Sequence, residues 1–266
     1  MKERHRVVVL VGPSTANRNT LATLVDSDVH VVGAVIADKN VGGVNTSFLK
    51  IAIKKQGIIK VMFQIMERIL YKLLNSKKDA RIEKEIFDTE QINVAINKWG
   101  GEIHQTGDYQ AKKTVAWIAA QQPDMIVIHT PYWVGKKIRN MVSGNVIGGH
   151  PGITPLYRGV HSPFWAIYKG DAENIGYSVF WVAAGVDTGD LITQGKIEPR
   201  AGDSYVTLSW RGMKEIAKDI TKIIEDFDRG IAIKREKIKD IPENSIFYHP
   251  TIFQYVKYLL MQRKVR

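Results

Sequence analysis

The sequence predicts an α/β fold with a mostly parallel sheet, helices on both faces and a small C-terminal α+β appendage. Two β-branched apolar runs, at 6–12 and 29–38, flank a short helical stretch, which is the pattern of a βαβ unit. Runs of the same character at 124–130 and 145–149 are typical of strands buried on both faces. At 266 residues, the chain can form one large domain, alone or with an appendage.

The elements follow from apolar periodicity, Gly and Pro stops and helix caps. Ser14, Thr15 or Asn17 can cap the first helix, and Gly170 and Gly230 end later ones. Strands are predicted at 6–12, 29–38, 124–130, 145–149, 175–183 and 191–199. Helices are predicted after Ser14 and at 58–74, 108–121, 135–142, 161–169 and about 203–228. Residues 39–46 form a Gly- and Asn-containing loop, and the last 36 residues predict a strand, an irregular stretch and a helix at about 250–263.

The formal net charge of +11 is confined to two segments. Residues 50–84 hold ten basic and three acidic side chains, residues 231–266 hold eight and three, and the remainder is near neutral. A nucleic-acid partner is therefore not expected, although a high net charge alone would suggest one. The absence of cysteine excludes disulfides, thiolate metal sites and cysteine nucleophiles. No apolar run approaches the ~18 residues that a membrane span needs.

The helix at 58–74 is amphipathic and basic. Its polar side carries Lys60, Gln64, Glu67, Tyr71 and Asn75, and its other side carries Ile58, Met62, Ile65, Met66, Ile69 and Leu73. Three interpretations of segment 50–78 stay open. It is a solvated helix packed on the sheet, a helix resting on an anionic membrane surface, or a helix that binds a partner or another subunit.

The stretch 145–191 carries the chemistry. His150 follows two glycines at a predicted strand end, where open α/β sheets place their active sites. Asp187 lies 37 residues later in the Gly-containing loop VDTGD. A His–Asp pair is the minimum for proton transfer, because the carboxylate fixes the imidazole tautomer and stabilises its cation.

The segments HPGITPLYRG (150–159) and GVDTGD (185–190) resemble the signature of the folate-dependent formyltransferase family. The resemblance is strong over 145–195, weaker over 1–144 and not visible beyond about 200. It implies a formyltransferase-type, Rossmann-like fold, with His150 and Asp187 catalytic. It also implies 10-formyltetrahydrofolate as co-substrate and no metal. The co-substrate contacts that follow from it are Ala184, Gly185, Val186 and Asp187. Trp133 and its neighbour Val134 are further candidates, because Trp133 follows a predicted strand end at the same edge as His150.

The mechanism that the resemblance implies is direct transfer. A substrate amine attacks the formyl carbon, and His150 stabilises or protonates the oxyanion that forms. Asp187 accepts the proton that the amine loses.

One position departs from the family pattern. The family has Asn two residues before the histidine, and this sequence has Gly148. Loss of an oxyanion donor typically costs ~2.7–4 kcal/mol of transition-state stabilisation. Three explanations stay open: a backbone N–H of the Gly148–Gly149 pair substitutes, another side chain such as Asn145 or His161 reaches in, or activity is lost or altered. We expect retained activity, because the rest of the signature is intact.

Two further groups are candidates for substrate binding. Gly12, Ser14, Thr15 and Asn17 stand at a helix N-terminus, which favours phosphate, although a simple helix cap explains them as well. Tyr157 and Arg158 either contact substrate or fix their own loop.

The resemblance also bears on the type of substrate. Residues 1–200 would be the catalytic domain, with a basic helical insert at about 47–84, and 201–266 an extension of a helix, a strand and a terminal helix. Transfer-RNA members carry a further C-terminal barrel, the glycinamide ribonucleotide enzyme lacks such an insert, and deformylases begin with an extra domain. Elimination favours an N-formyltransferase acting on a nucleotide-linked amino sugar. The alternatives are a formyltetrahydrofolate hydrolase and a decayed folate- or sugar-nucleotide-binding protein. We expect a cytoplasmic homodimer, with peripheral membrane contact through 50–78 left open.

Overall fold

The computed structural model describes residues 4–38 and 46–262 of the chain. The strands are β1 (Val7–Val11), β2 (Val31–Ala37), β3 (Ile103–Thr106), β4 (Met125–His129), β5 (Val146–His150), β6 (Arg158–Gly159), β7 (Gly176–Trp181), β8 (Leu191–Lys196) and β9 (Ile246–Phe247). Seven of them form one sheet in the order β3-β2-β1-β4-β5-β7-β8, and β6 pairs with β9. Strands β1 to β5 pair in parallel, and β7 pairs antiparallel with both of its neighbours, β5 and β8. The predicted mostly parallel α/β sheet is confirmed.

Helices cover both faces of this sheet. They are α1 (Thr15–Val25), α2 (Thr46–Gln56), α3 (Ile58–Ile86), α4 (Thr89–Trp99), α5 (Lys112–Ala120), α6 (Lys136–Arg139), α7 (Ser162–Lys169), α8 (Tyr205–Asp228) and α9 (Ile252–Gln262). One core lies between the sheet and α1, α4 and α8, and a second lies between the sheet and α5 and α6. Burial of β1 on both faces explains its continuous apolar sequence.

Helix caps follow the chemistry of the sequence. The Ser14 side chain accepts a hydrogen bond from the backbone N–H of Asn17 and so begins α1. Ser204, rather than its neighbour Asp203, caps α8 in a reciprocal capping box with Thr207. Helix α4 and strand β3 had no predicted counterpart. Strand β3 is short, polar and at the sheet edge, so it lacks the apolar run that marks the interior strands.

The C-terminal part of the chain is tied to the sheet. Ile216, Ile220 and Ile224 of α8 lie in the same core as β1. The predicted boundary at residue 200 therefore falls between elements that share one core. After α8 the chain is irregular apart from a bridge between Glu236 and Leu191, and the short β9 then pairs with β6.

Helix α3 has its polar side inward. Gln64, Glu67 and Asn75 are buried, whereas Ile58 and Leu73 are 67% and 76% exposed. If α3 were a solvated helix packed on the sheet by its apolar side, the opposite arrangement would hold.

Two expectations depend on which residues the structure describes. The predicted loop at 39–46 lies, except for its last residue, outside the described residues. Over residues 4–38 and 46–262, no helix has the length and apolar character needed to cross a bilayer.

Candidate functional site

The carboxyl ends of β1, β4 and β5 meet at one edge of the sheet. The order β2-β1-β4 places the topological switch between β1 and β4, where ligands bind in open α/β folds. Asn17 joins two of these strand ends, since its side-chain amide donates to the carbonyl oxygen of His129 over 2.9 Å. His150 ends the neighbouring strand β5. The sequence-predicted residues of the first loop and of the HPG segment are thereby brought to one edge.

His150 and Asp187 face one another at this edge. Nδ1 of His150 lies 3.6 Å from Oδ2 of Asp187, with the histidine buried and the aspartate half-buried. The other ring nitrogen, Nε2, lies 2.8 Å from Oγ of Ser162 and 3.0 Å from the carbonyl oxygen of Tyr157. Because a carbonyl oxygen only accepts, the contact with Tyr157 requires a hydrogen on Nε2. Nδ1 is therefore the nitrogen that forms an ion pair with Asp187 when the ring is protonated.

Gly152, in the HPG segment, leaves space for the Ser162 hydroxyl to contact Nε2 of His150. A Cβ atom on Gly152 would lie 2.4 Å from Oγ of Ser162 and 2.7 Å from Nε2 of His150. Only glycine leaves room there for the serine to reach the ring. Ser162 also donates to the carbonyl oxygen of Tyr157 over 3.1 Å. The Ser162 hydroxyl and the Tyr157 carbonyl, which are buried and hydrogen-bonded to each other, thus fix the imidazole on its Nε2 side.

Asp187 is held in an uncommon backbone conformation. Its φ is +49°, in the left-handed region that non-glycine residues rarely adopt. Its Oδ2 accepts the backbone N–H of Gly159 over 3.0 Å, and Nη1 of Arg158 donates to the carbonyl oxygen of Val186 over 3.2 Å. Arg158 is itself fixed by Oγ of Ser245 at 3.0 Å. The Tyr-Arg-Gly segment therefore positions the aspartate loop.

Arg158 and Tyr157 are turned inward. Both are buried, and the Tyr157 hydroxyl donates to the Asp171 carboxylate over 2.6 Å. Burial, together with this carboxylate, raises the pKa of the Tyr157 phenol. Of the two roles open to this pair, the structure supplies contacts for fixing the loop.

The Gly148–Gly149 pair is explained by packing. A Cβ atom on Gly148 would lie 2.8 Å from Cγ2 of Val182, and one on Gly149 would lie 2.2 Å from Cγ2 of Ile216. Both glycines lie in β5, between β4 and β7. The space beside position 148 is therefore filled by a methyl group, and that beside 149 by helix α8.

Neither side chain considered as a substitute donor reaches His150. Asn145 precedes β5 at its opposite end, about 16 Å away at ~3.3 Å per residue, and donates to the carbonyl oxygen of Asp124. His161 contacts His249, with Nε2 and Nδ1 2.9 Å apart. Burial lowers the pKa of both His161 and His249, so this pair is neutral at pH 7.

The expected co-substrate loops are adjacent and largely exposed. Trp133 is 55% exposed and Val186 is 42% exposed, and Ala184 and Gly185 are exposed beside it. Val134 is buried in the core beneath them. The structure thus presents an indole ring, a valine and free loop backbone at the edge that carries His150.

Arg139 connects these loops and was not singled out from the sequence. Its Nη1 donates to the carbonyl oxygen of Ala183 over 2.5 Å, and its guanidinium lies 5.3 Å from the centre of the Trp133 ring. Its only sequence signal is a place in a short basic helix, KKIR, after β4.

The β1–α1 corner is a capped helix start. Ser14 bonds within the turn to Asn17, Gly12 is buried against Asn17, and Thr15 is half-buried. His129, at the end of β4, is buried with Nδ1 2.5 Å from Oγ1 of Thr20. Burial, and then the charge of His150, lower the pKa of His129 to about 4. It is a neutral structural histidine.

Within the described part of the chain, no three His, Asp or Glu side chains are grouped so that they could hold a metal ion.

Comparison with known proteins gives family and relatives. The Formyl transferase family model matches residues 49–224. A methionyl-tRNA formyltransferase of Halothermothrix orenii is 26% identical over 151 residues, 56% of this chain and 47% of that protein. A GDP-perosamine N-formyltransferase of Brucella melitensis is 27% identical over 109 residues, 41% of this chain and 42% of that protein. The matches span less than half the length of these curated relatives.

Solved structures share the fold. Glycinamide ribonucleotide transformylase 1 from Symbiobacterium toebii superposes with a TM-score of 0.57 at 15% identity, covering 89% of this chain and 95% of that one. A sugar N-formyltransferase from a Shewanella species gives 0.54 at 11% identity, covering 97% and 87%. At these identities the likeness concerns the fold. The family model, by contrast, matches well over half of the sequence and includes both His150 and Asp187. The resemblance seen in the sequence is confirmed, and this chain belongs to the formyl transferase family.

Proposed function

We propose that this chain is an N-formyltransferase that uses 10-formyltetrahydrofolate to formylate a primary amine of a nucleotide-linked amino sugar. The observation that carries the proposal is the His150–Asp187 pair, 3.6 Å apart beside the exposed loop at 184–186. A titratable pair at the carboxyl edge of an open α/β sheet is placed for acid–base work on a bound ligand.

The residues at this edge fit the folate. A pterin is flat, with apolar faces and a polar rim. Trp133 and Val186 offer apolar surface, and the exposed backbone of Ala184 and Gly185 offers hydrogen-bonding groups. When bound, 10-formyltetrahydrofolate would supply the formyl group: its C–N bond would break as the new bond to the amine forms, and the folate nitrogen would take up a proton in place of the one that the amine loses.

The chain itself handles protons. Asp187 accepts the proton that the amine loses at its carboxylate, and the half-buried position keeps this group in contact with solvent for its release. With its Nε2–H held by Tyr157 and Ser162, the imidazolium form of His150 carries a second hydrogen on Nδ1 and would donate it to the formyl oxygen as negative charge develops there. The backbone N–H of Gly159 holds Asp187 within reach of the ring.

The sugar-nucleotide substrate is supported by the similarity to GDP-perosamine N-formyltransferase and by the sugar N-formyltransferase fold. We place the nucleotide phosphate near the β1–α1 turn at Gly12, Ser14, Thr15 and Asn17, because this turn shares its edge with His150. The division into a catalytic part (1–200) and an extension (201–266), the expected homodimer and a cytoplasmic location are further parts of this proposal. Sedimentation velocity of the full chain tests the dimer.

The decisive experiment incubates the purified chain with 10-formyltetrahydrofolate and a panel of amino-sugar nucleotides and detects formylated product by mass spectrometry. We expect formyl addition to at least one sugar, and none with the His150→Ala variant. Formate release without an amine would instead identify a hydrolase. Folate binding without either product would identify a non-catalytic binding protein, for which the filled space beside Gly148 is the structural argument.

A further inference from the structure

Helix α3 turns an apolar stripe to solvent. Eight of its side chains are between 42% and 76% exposed: Ile58, Ile59, Met62, Ile65, Met66, Ile69, Leu73 and Leu74. At 3.6 residues per turn, all but Leu74 fall within an arc of about 120°. Scattered apolar residues are normal on a protein surface, but a continuous stripe of this length marks a surface that contacts something else.

The outward direction of the stripe is fixed by polar contacts on the opposite side of α3. Gln64 donates from Nε2 to the carbonyl oxygen of His249 over 2.7 Å. Glu67 accepts the Tyr205 hydroxyl over 2.9 Å. Asn75 donates to the Tyr255 hydroxyl over 2.9 Å. Rotation of the helix to bury its apolar side would break all three bonds, so the exposure belongs to the fold.

Helix α9 widens the stripe into a face. The rings of Phe63 and Phe253 meet edge to face with their centroids 4.8 Å apart, which joins the two helices. Phe253, Val256 and Leu260 are 66%, 51% and 60% exposed. We call these three residues and the eight of α3 the α3–α9 apolar face.

Basic groups border this face. Residues 50–78 contain one acidic side chain, Glu67, and it is buried. The exposed charges of this segment are therefore all positive, and they include Lys54, Lys55, Lys60, Arg68, Lys72 and Lys77. An exposed apolar stripe in a segment whose other exposed charges are all basic is the composition of helices that lie in the plane of a membrane surface.

The positive charges around the α3–α9 apolar face indicate what kind of partner this face binds. Two copies joined through this face would bring positive borders together, which disfavours self-association. A nucleic acid would neutralise the lysines and leave the isoleucines and leucines in water. A bilayer with anionic headgroups takes both, with apolar side chains at the acyl boundary and lysines at the phosphates. We infer that the α3–α9 apolar face docks this chain on an anionic lipid bilayer.

Co-sedimentation with vesicles tests this inference, using the full chain. Phosphatidylcholine vesicles with and without phosphatidylglycerol are compared at low and high salt. We expect binding to the phosphatidylglycerol vesicles, little binding to phosphatidylcholine alone, and loss of binding as salt screens the lysines. The experiment reads no catalytic activity, so its outcome is independent of the proposed formyl transfer.

Paired variants separate the face from the rest of the surface. Ile65→Glu with Ile69→Glu should lower the bound fraction about tenfold or more, because two charges would enter the apolar boundary. Val94→Glu is the matched control, since Val94 is 57% exposed on α4. It should bind as the wild-type chain does. All three positions are exposed, so thermal unfolding should be unchanged and circular dichroism verifies the fold.

A second comparison uses two double variants that reverse the charge of exposed lysines. Lys72→Glu with Lys77→Glu should weaken binding, and Lys112→Glu with Lys113→Glu, also exposed, should have a smaller effect. Absence of wild-type binding at low salt, or equal binding of the Ile65/Ile69 and Val94 variants, overturns the inference. So does lipid-free self-association that the Ile65/Ile69 variant abolishes without any lipid binding, which would assign the face to a second copy.

Discussion

Val182 occupies the space beside Gly148. A Cβ atom at position 148 would lie 2.8 Å from Cγ2 of Val182 and 3.5 Å from the carbonyl oxygen of Ile128. Gly148 and Val182 thus form a matched pair, because a methyl group of Val182 occupies the place that a side chain at position 148 would need. An amide donor at this position requires a change at both residues.

Gly148→Asn alone should therefore destabilise the protein by about 1–3 kcal/mol, the usual cost of overpacking. Val182→Ala in addition should recover most of that loss, since it removes the clashing methyl groups. Chemical denaturation of the two single variants and the double variant measures the coupling. A Gly148→Asn protein as stable as wild type would contradict the steric account.

The His150–Asp187 pair should dominate turnover. His150→Ala and Asp187→Asn should each reduce formyl transfer about a hundredfold or more, the usual worth of a positioned acid or base. Asp190→Asn is the control within the same loop, because Asp190 pairs with Arg235 at 3.5 Å. It should retain most of the activity. Near-normal transfer by either catalytic variant, with an intact fold, would refute the assignment.

Arg139 should act on folate affinity. Arg139→Met removes the bond to the Ala183 carbonyl and the contact with the Trp133 ring while keeping most of the side-chain volume. We expect a KM for 10-formyltetrahydrofolate raised about tenfold, as for one charge-assisted hydrogen bond, with kcat changed less. Lys137→Met, exposed on the same short helix, controls for the loss of a positive charge. Equal effects of both variants would show that charge alone matters.

Most of the sheet and the catalytic pair could be predicted from the sequence, because they depend on local patterns. Buried strands are continuous apolar runs, and His150 and Asp187 stand in short motifs. Val182 and Arg139 could not be found in this way. Their contacts, to Gly148 and to Ala183, join residues more than thirty positions apart that only the folded sheet brings together.

The orientation of α3 shows a second limit. Periodicity identifies the two sides of a helix, but which side is buried depends on what covers it. Here the covering surface offers the hydroxyls of Tyr205 and Tyr255 and the carbonyl oxygen of His249, so the polar side is buried. No local pattern in 58–74 encodes these partners.

Glu67, the most buried charge on α3, should make stability depend on pH. Burial raises the pKa of its carboxyl above the ordinary value of 4.5, and its Oε2 has no hydrogen-bond partner among residues 4–38 and 46–262. A raised pKa means that the folded state binds more protons than the unfolded state above pH 4.5. The contribution of Glu67 to stability is therefore present at low pH and lost as pH rises through its folded value.

Glu67→Gln should remove this loss, because a neutral amide can still accept the Tyr205 hydroxyl. At pH 8 we expect a gain of about 1–3 kcal/mol, the cost of a buried polar group without a partner. For a chain of this size, 1 kcal/mol shifts the thermal unfolding midpoint by about 2–4 °C, so thermal unfolding can detect this gain. The gain should shrink as pH falls toward 4.5, and Glu243→Gln, at an exposed site, should show none. A Glu67→Gln midpoint below that of wild type at pH 8 would show that the charged carboxylate stabilises the fold.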